Sequence, residues 1–306
     1  MRGPPNVLPG LFAGRYAIER VIGQGATAIV HLARDTQSGI AVALKILRPE
    51  LVESAASKRF LTEIRRTTAL QHPHILPVLD SGDQDGQLYF ALPYMEGGTL
   101  RQLLKQERNL GFERVVEIAR PIAEALDYAH GKGLIHRDVK PENILFTNGQ
   151  AVLGDFGIAR ALDLSGGGDF SSTSKNTVRG TPAYMSPEQA AGGTDLDGRS
   201  DIYSLACVIY EMITGMQAFI GPTPESVIAQ RFAFAPREVR VYRPSAPKSV
   251  DDVLGKAFAM IPADRYQSAG AMVEGLEAAV SNHRVGATVE PRSSPADATQ
   301  SFRHNR

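Results

Sequence analysis

The chain has 306 residues, 43% of them hydrophobic and 22% charged, which fits one large domain or two small ones of average soluble composition. Its 33 Lys and Arg balance 33 Asp and Glu, so no charge excess points to a nucleic acid or to a membrane surface. The single cysteine, Cys207, excludes an intrachain disulfide, and no apolar run reaches the roughly 20 residues of a membrane helix.

Residues 1–13 are rich in Pro and Gly and read as a flexible arm without an apolar stretch of signal-peptide length. A cytoplasmic location is the expectation. From Tyr16 to Tyr94, "YAIERVI", "AIVHLAR", "AVALKIL" and "QLYFALPY" alternate or cluster aliphatic and aromatic residues between turn signals, which predicts strands. Between Val52 and Leu70, the spacing of Phe60, Ile64 and Leu70 among charges predicts one helix. From Thr99 the period turns helical: "TLRQLLKQ", then "ERVVEIARPIAEALDYAHGKG" with Pro121 inside it as a kink. "SDIYSLACVIYEMITG" is apolar nearly all round and reads as a buried helix capped by Ser200, with Cys207 packed in its core. "SVDDVLGKAFAM" and "SAGAMVEGLEAAVSNH" predict further helices, and after about residue 284 the periodicity is lost. A small sheet-rich lobe joined near Tyr94–Gly98 to a larger helical lobe is the coarse expectation.

Four motifs carry chemistry, in chain order. "IGQGATAIV" lets backbone amides approach a phosphate, yet 29 glycines make Gly-x-Gly matches expected by chance, and alone it reads as a hairpin turn. Its continuation is strand-like, which excludes a dinucleotide-binding strand–turn–helix. "VALK" sets Lys45 in an apolar strand, where a charge is costly unless paired or turned to solvent; Glu63 on the following helix is placed to meet it. "LIHRDVKPENILF" sets His136, Arg137, Asp138, Lys140 and Asn143 in a loop that Pro141 keeps from being helical. In "LGDFGIAR", Asp155 leaves a short apolar strand beside a flexible Gly, which suits a carboxylate that reaches a metal ion. The glycine loop alone is weak, the His136-Arg137-Asp138…Asn143 spacing is strong by itself, and the order of all four makes the signal stronger.

With "GTPAYMSPEQA" (180–190), "SDIYSLACVIYEMITG" (200–215) and "PADRYQSA" (262–269), these motifs resemble the eukaryotic-type protein kinases over about residues 14–281, and most of all the bacterial serine/threonine kinases. The resemblance implies an α+β bilobal fold: an antiparallel-sheet lobe with one helix (14–95) and a larger mainly helical lobe (96–281); the tail (282–306), where the periodicity is lost, is expected to be disordered. It implies transfer of the ATP γ-phosphoryl group to Ser or Thr hydroxyls of protein substrates, and to the chain itself, with magnesium or manganese as the ion. A transient homodimer is a further expectation, and neither nucleic acid nor a membrane segment is expected. Many bacterial relatives continue into a membrane helix and a sensor domain, so the chain is expected to be either a soluble kinase or part of a longer protein.

Residue by residue, the resemblance assigns the glycine-rich loop Ile22, Gly23, Gln24, Gly25, Ala26 to Val30 to the phosphates, and Lys45, paired with Glu63, to the α and β phosphates. Val30 and Ala43 enclose the adenine, backbone groups of Pro93 and Met95 bond its edge, and Leu92 guards the rear pocket. Asp138 accepts the proton of the attacking hydroxyl, Lys140 neutralises the γ phosphate, and Asn143 and Asp155 hold the ion. Arg137 is expected to pair with a phosphorylated residue of the segment 155–188, with Thr173 first and Ser171, Ser172, Ser174 and Thr177 as alternatives. Thr181 supports Asp138 and Lys140. Glu188 and Arg265 form a buried ion pair, and Asp201 bonds the backbone of the His136–Arg137 turn. Three departures from the family pattern leave the chemical groups intact: Ala28 for the third loop glycine, Pro93 for an acidic residue, and "SPE" for "APE". The competing readings are a pseudokinase, which predicts loss of Lys45, Asp138 or Asp155, and a small-molecule phosphotransferase, which would lack the 180–190 and 200–215 segments.

Overall fold

The computed structural model describes residues 10–25, 28–48, 57–156 and 182–287, excepting the side chains of 57–60, 63, 65 and 282–287. Strands β1 (Tyr16–Gln24), β2 (Ala28–Asp35), β3 (Ala41–Leu47), β4 (Asp80–Gln84) and β5 (Gln87–Pro93) form an antiparallel sheet in the order β1-β2-β3-β5-β4. Alternation along β3 explains how the sheet is used on both sides. Val42 and Leu44 pack with Tyr16, Ala33, Tyr89 and Ala91 on one face. Ala43 and Leu47 pack with Phe90, Leu92 and Ile64 on the other, where α1 (Ser57–Thr68) lies. Lys45 shares the register row of Val30 and Phe90, so the strand period turns it to this second face.

Phe12 belongs to the sheet lobe: it bridges to Tyr16, is buried, and meets Tyr89 edge-on at 5.3 Å. The folded lobe therefore includes part of the stretch expected as an arm, because an aromatic ring finds an apolar seat despite the Pro and Gly around it. Strand β4, "DSGDQ", offers no apolar alternation and is held through its pairing with β5. Beneath it Arg15 clamps Asp35 at 2.8 Å and Asp80 at 3.2 Å, and the hydroxyl of Tyr16 donates to Asp80 at 2.7 Å.

The second lobe is built on α2 (Leu100–Gln106), α3 (Phe112–Gly131), α4 (Pro187–Ala190), α5 (Gly198–Thr214), α6 (Pro224–Ala233), α7 (Val239–Tyr242), α8 (Lys248–Ala257) and α9 (Ala269–Ala287). Pro121 does not end α3, which runs on to Gly131 with its Ile118, Ile122, Leu126 and Ala129 stripe buried. The cap of α5 is Asp197, not Ser200: the Asp197 side chain accepts from the Arg199 amide, while the Ser200 hydroxyl donates to Glu188 at 2.6 Å. Helix α5 is buried along its length, and Gly215, at φ 72°, closes it in the left-handed conformation that glycine adopts without cost. Helix α9 continues to Ala287, past the boundary expected at 281. Among the described residues no helix is long and apolar enough to cross a membrane.

Between the lobes, Phe146 of the hairpin β6 (Ile144–Thr147) and β7 (Gln150–Leu153) donates its amide to Gly98, and Leu153 bonds the segment after α1 through His74. These contacts set the end of β7, and with it Asp155, beneath the second face of the sheet.

Candidate active site

Pro141 stops helix propagation after the 134–140 loop, and a single 3-10 turn, Pro141–Asn143, leads into β6. The loop is fixed from below. Asp201, wholly buried in α5, accepts the backbone amides of His136 and Arg137, each at 2.8 Å, and sits 2.7 Å from the imidazole of His130. The buried ring of His136 reaches the carbonyl of Gly154 at 2.7 Å and stands edge-on to Phe156 at 4.5 Å. Gly154 in turn donates its amide to the Asn143 carbonyl at 2.8 Å. A side chain at 154 would strike Leu145 at 2.8 Å, so a glycine there permits the close approach. The polar residues of the loop and the Asp155 strand end are thus one hydrogen-bonded unit.

Within it, Lys140 Nζ donates to Asp138 at 2.7 Å, and Asn143 Nδ2 donates to the Asp138 carbonyl at 2.8 Å and to its carboxylate at 3.1 Å. The side-chain nitrogen of Asn143 is thereby committed to Asp138. Across the cleft, Lys45 Nζ forms an ion pair with Asp155 and lies 5.8 Å from the centre of the Phe90 ring. Burial pushes the Asp155 carboxyl up, but the ammonium of Lys45, with His136 and Lys140, outweighs it and holds the group below the ordinary carboxylate range. Arg137 and Asp155 both adopt positive φ, 67° and 63°, where non-glycine residues are uncommon. Such conformations persist where the surroundings over-determine them.

The remaining expected residues divide into four groups. Ile22, Gly23 and Gln24 end β1, and Gly25 donates to the Ala28 carbonyl at 2.9 Å, closing the hairpin. Ala28 is not among the positive-φ residues, so an alanine fits where the family often has glycine. Val30, Ala43 and Leu92 share the second face with Lys45, Pro93 ends β5, and Met95 packs against the same cluster. Glu188 holds Arg265 through both oxygens, at 2.7 and 2.8 Å, and Asp201 anchors the loop as described. Ala26, Thr181, Thr173, Ser171, Ser172, Ser174 and Thr177 lie outside the described residues, as does the side chain of Glu63, whose backbone is in α1. The structure brings Lys45, Asp138, Lys140, Asn143 and Asp155 to one cleft.

A family model described as "Protein kinase domain" matches residues 16–275. The chain belongs to the protein kinase domain family. Two similar proteins are the "Probable serine/threonine-protein kinase SCO3848" of Streptomyces coelicolor, 40% identical over 92% of this chain and 42% of that protein, and the "Serine/threonine-protein kinase PknB" of Mycolicibacterium smegmatis, 40% identical over 86% and 43%. The chain thus spans about two fifths of the length of these relatives. A solved structure of Rad53 residues 1–466 in complex with AMP-PNP superposes with a TM-score of 0.71 over 86% of this chain and 65% of that one, at 24% identity, which supports the bilobal kinase fold.

Sequence reasoning did not single out Arg101. Its guanidinium meets Glu142 beside Asn143, Glu211 of α5 and the hydroxyl of Tyr184. The four residues are far apart in sequence, and no local pattern links them.

Proposed function

We propose that this chain is a protein serine/threonine kinase that transfers the γ-phosphoryl group of ATP to hydroxyls of protein substrates. The observation that carries the reading is the convergence of the Lys45–Asp155 pair with the Asp138–Lys140–Asn143 loop in one cleft. Phosphoryl transfer asks for positioning and charge neutralisation more than for covalent chemistry, and this cleft supplies both signs of charge on braced elements. The names of the relatives, and the nucleotide analogue in the Rad53 complex, support the same reading.

In this reading the loop from Gly23 to Val30 covers the phosphates, and Lys45 contacts the α and β phosphates. Val30, Ala43 and Leu92 enclose the adenine, whose edge meets backbone groups of Pro93 and Met95. The oxygens of Asn143 and Asp155 form a hard donor set that suits magnesium or manganese, and a bound ion neutralises phosphate charge. Asp138 takes the proton of the acceptor hydroxyl while Lys140 steadies it and the transferring group. Autophosphorylation within 165–181 belongs to the same proposal, with Thr173 as the first candidate.

The test is incubation of the purified chain with labelled ATP and magnesium. Self-labelling or substrate labelling abolished by Asp138→Asn is expected. A chain that binds ATP without turnover, with the cleft intact, is a binding module instead.

A further inference from the structure

The geometry points to Arg101 as a specificity-determining residue: it fills, from within the fold, an anionic pocket that Glu142 and Glu211 form beside the acceptor site. This rests on the kinase reading, because the acceptor site is the one assigned to Asp138.

The pocket is built from three elements. Glu142 sits in the 3-10 turn, four residues after Asp138 in the chain, and its side chain is 41% exposed. Glu211 rises from the buried helix α5 with its side chain 8% exposed. Tyr184, from the turn Pro182–Tyr184, closes the third side: its buried hydroxyl donates to Glu211 and accepts from Gln217 Nε2 at 3.3 Å. Two carboxylates brought this close repel each other unless a cation stands between them.

Arg101 is that cation. Its Nε donates to Glu142 at 2.7 Å, its Nη1 to Glu211 at 2.7 Å, and its Nη2 to Glu211 at 3.4 Å and to the Tyr184 hydroxyl. The planar fork of a guanidinium matches this set of acceptors, which the point charge of a lysine would not. Helix α2 holds the side chain in register: Thr99 and Gln102 form a capping box at its start, and Leu100 is fully buried. With Arg101 present the four side chains sum to one negative charge, and without it to two.

An extended peptide advances about 3.3 Å per residue. A substrate whose hydroxyl lies at Asp138 therefore passes Glu142 within a few residues of the acceptor. An empty pocket there would draw arginine or lysine from the substrate. Filled by Arg101, it draws neither, so the chain accepts substrates without basic residues next to the acceptor.

The experiment compares serine peptides identical except for Arg, Ala or Glu at the residues flanking the serine. Both phosphorylation rates and equilibrium binding by calorimetry are read, for the wild type, Arg101→Met, Arg101→Lys and Glu142→Gln. The wild type is expected to treat Arg and Ala peptides within a factor of about two, and Arg101→Met to favour the Arg peptide by about fivefold, the scale of a partly exposed charge pair. Arg101→Lys is expected to restore much of the wild-type ratio. Glu142→Gln, which keeps the buried pair of Arg101 with Glu211 and so guards against a misfolded Arg101 variant, is expected to shift preference toward the Glu peptide. A wild type that already selects Arg peptides, or ratios that stay level across folded variants, overturns the inference. If no peptide is phosphorylated, the kinase reading fails, and the binding ratios still decide on Arg101.

Discussion

Asp201 accepts the backbone amide of Arg137 at 2.8 Å, and Arg137 holds a φ of 67°. A carboxylate fully buried in the most buried helix thus holds a residue in a conformation that only glycine enters freely. The bonds to His136 and Arg137 keep the loop that carries Asp138 in one shape. Asp201→Ala leaves two buried amides without acceptors and is expected to cost about 2–5 kcal/mol of stability. Asp201→Asn, which retains one acceptor oxygen, is expected to cost less. Denaturant melts give the stabilities, and labelled ATP gives an activity loss larger than the fraction unfolded accounts for.

Lys45 and Asp155 make a charge pair on two elements that meet only in the folded cleft. Lys45→Met and Asp155→Asn are each expected to lower phosphoryl transfer by about a hundredfold or more, because each removes charge from where it develops in the transition state. Melting temperature is expected to change little beside that, since both side chains retain some contact with solvent. Equal losses of activity and of folded fraction would argue against a catalytic role.

Glu188 and Arg265 predict an acid response. Burial raises the Glu188 carboxyl, but Arg265 and Ser200 bond its ionised form and hold it below its ordinary value of 4.5. A depressed carboxylate contributes stability that is full above the unfolded value and fades as the pH falls through the folded one. The wild type is expected to lose stability below about pH 4.5, and Glu188→Gln to lose less over that interval while starting lower. Arg265 is 2% exposed and also donates to the carbonyls of Ala259, Arg199 and Met260. Arg265→Ala is therefore expected to cost about 3–5 kcal/mol, read from urea titrations.

Cys207 lies inside α5, and burial pushes its thiol up to about 12. The thiolate is the reactive form, so the native chain is expected to resist a thiol reagent at neutral pH and to react once unfolded. The rate of labelling in increasing urea should follow the unfolding transition. Fast labelling of the native chain would contradict the burial of that helix.

Much of this fold was legible because its pattern is local. Strand β3 alternates and β5 is one continuous apolar run, both between turn signals, and the motif loops announce themselves by a density of charged residues that an ordinary core strand would not accept. Strand β4 was not legible, since "DSGDQ" becomes a strand only by pairing with β5. Helix α6 was missed for a related reason: Val227 and Arg231 are its buried residues, and the arginine fits no apolar stripe. Its guanidinium lies 4.8 Å from the Phe219 ring centre and donates to the Pro182 carbonyl at 2.6 Å. The start of α5 was misplaced because Asp197 and Ser200 are both good caps, and only the partner of Ser200 decides between them. In the cleft, the residue types were readable from motif order, but the arrangement around Arg101 joins positions 101, 142, 184 and 211, which only tertiary structure assembles.

The outermost strand of the sheet has a wider consequence. Among the described residues β4 is an edge strand, and it carries Asp83, a glycine and no large apolar side chain. Unpaired strand borders invite other chains to add on, and charge with poor side-chain stacking discourages them. That rim is a poor template for stacking into aggregates.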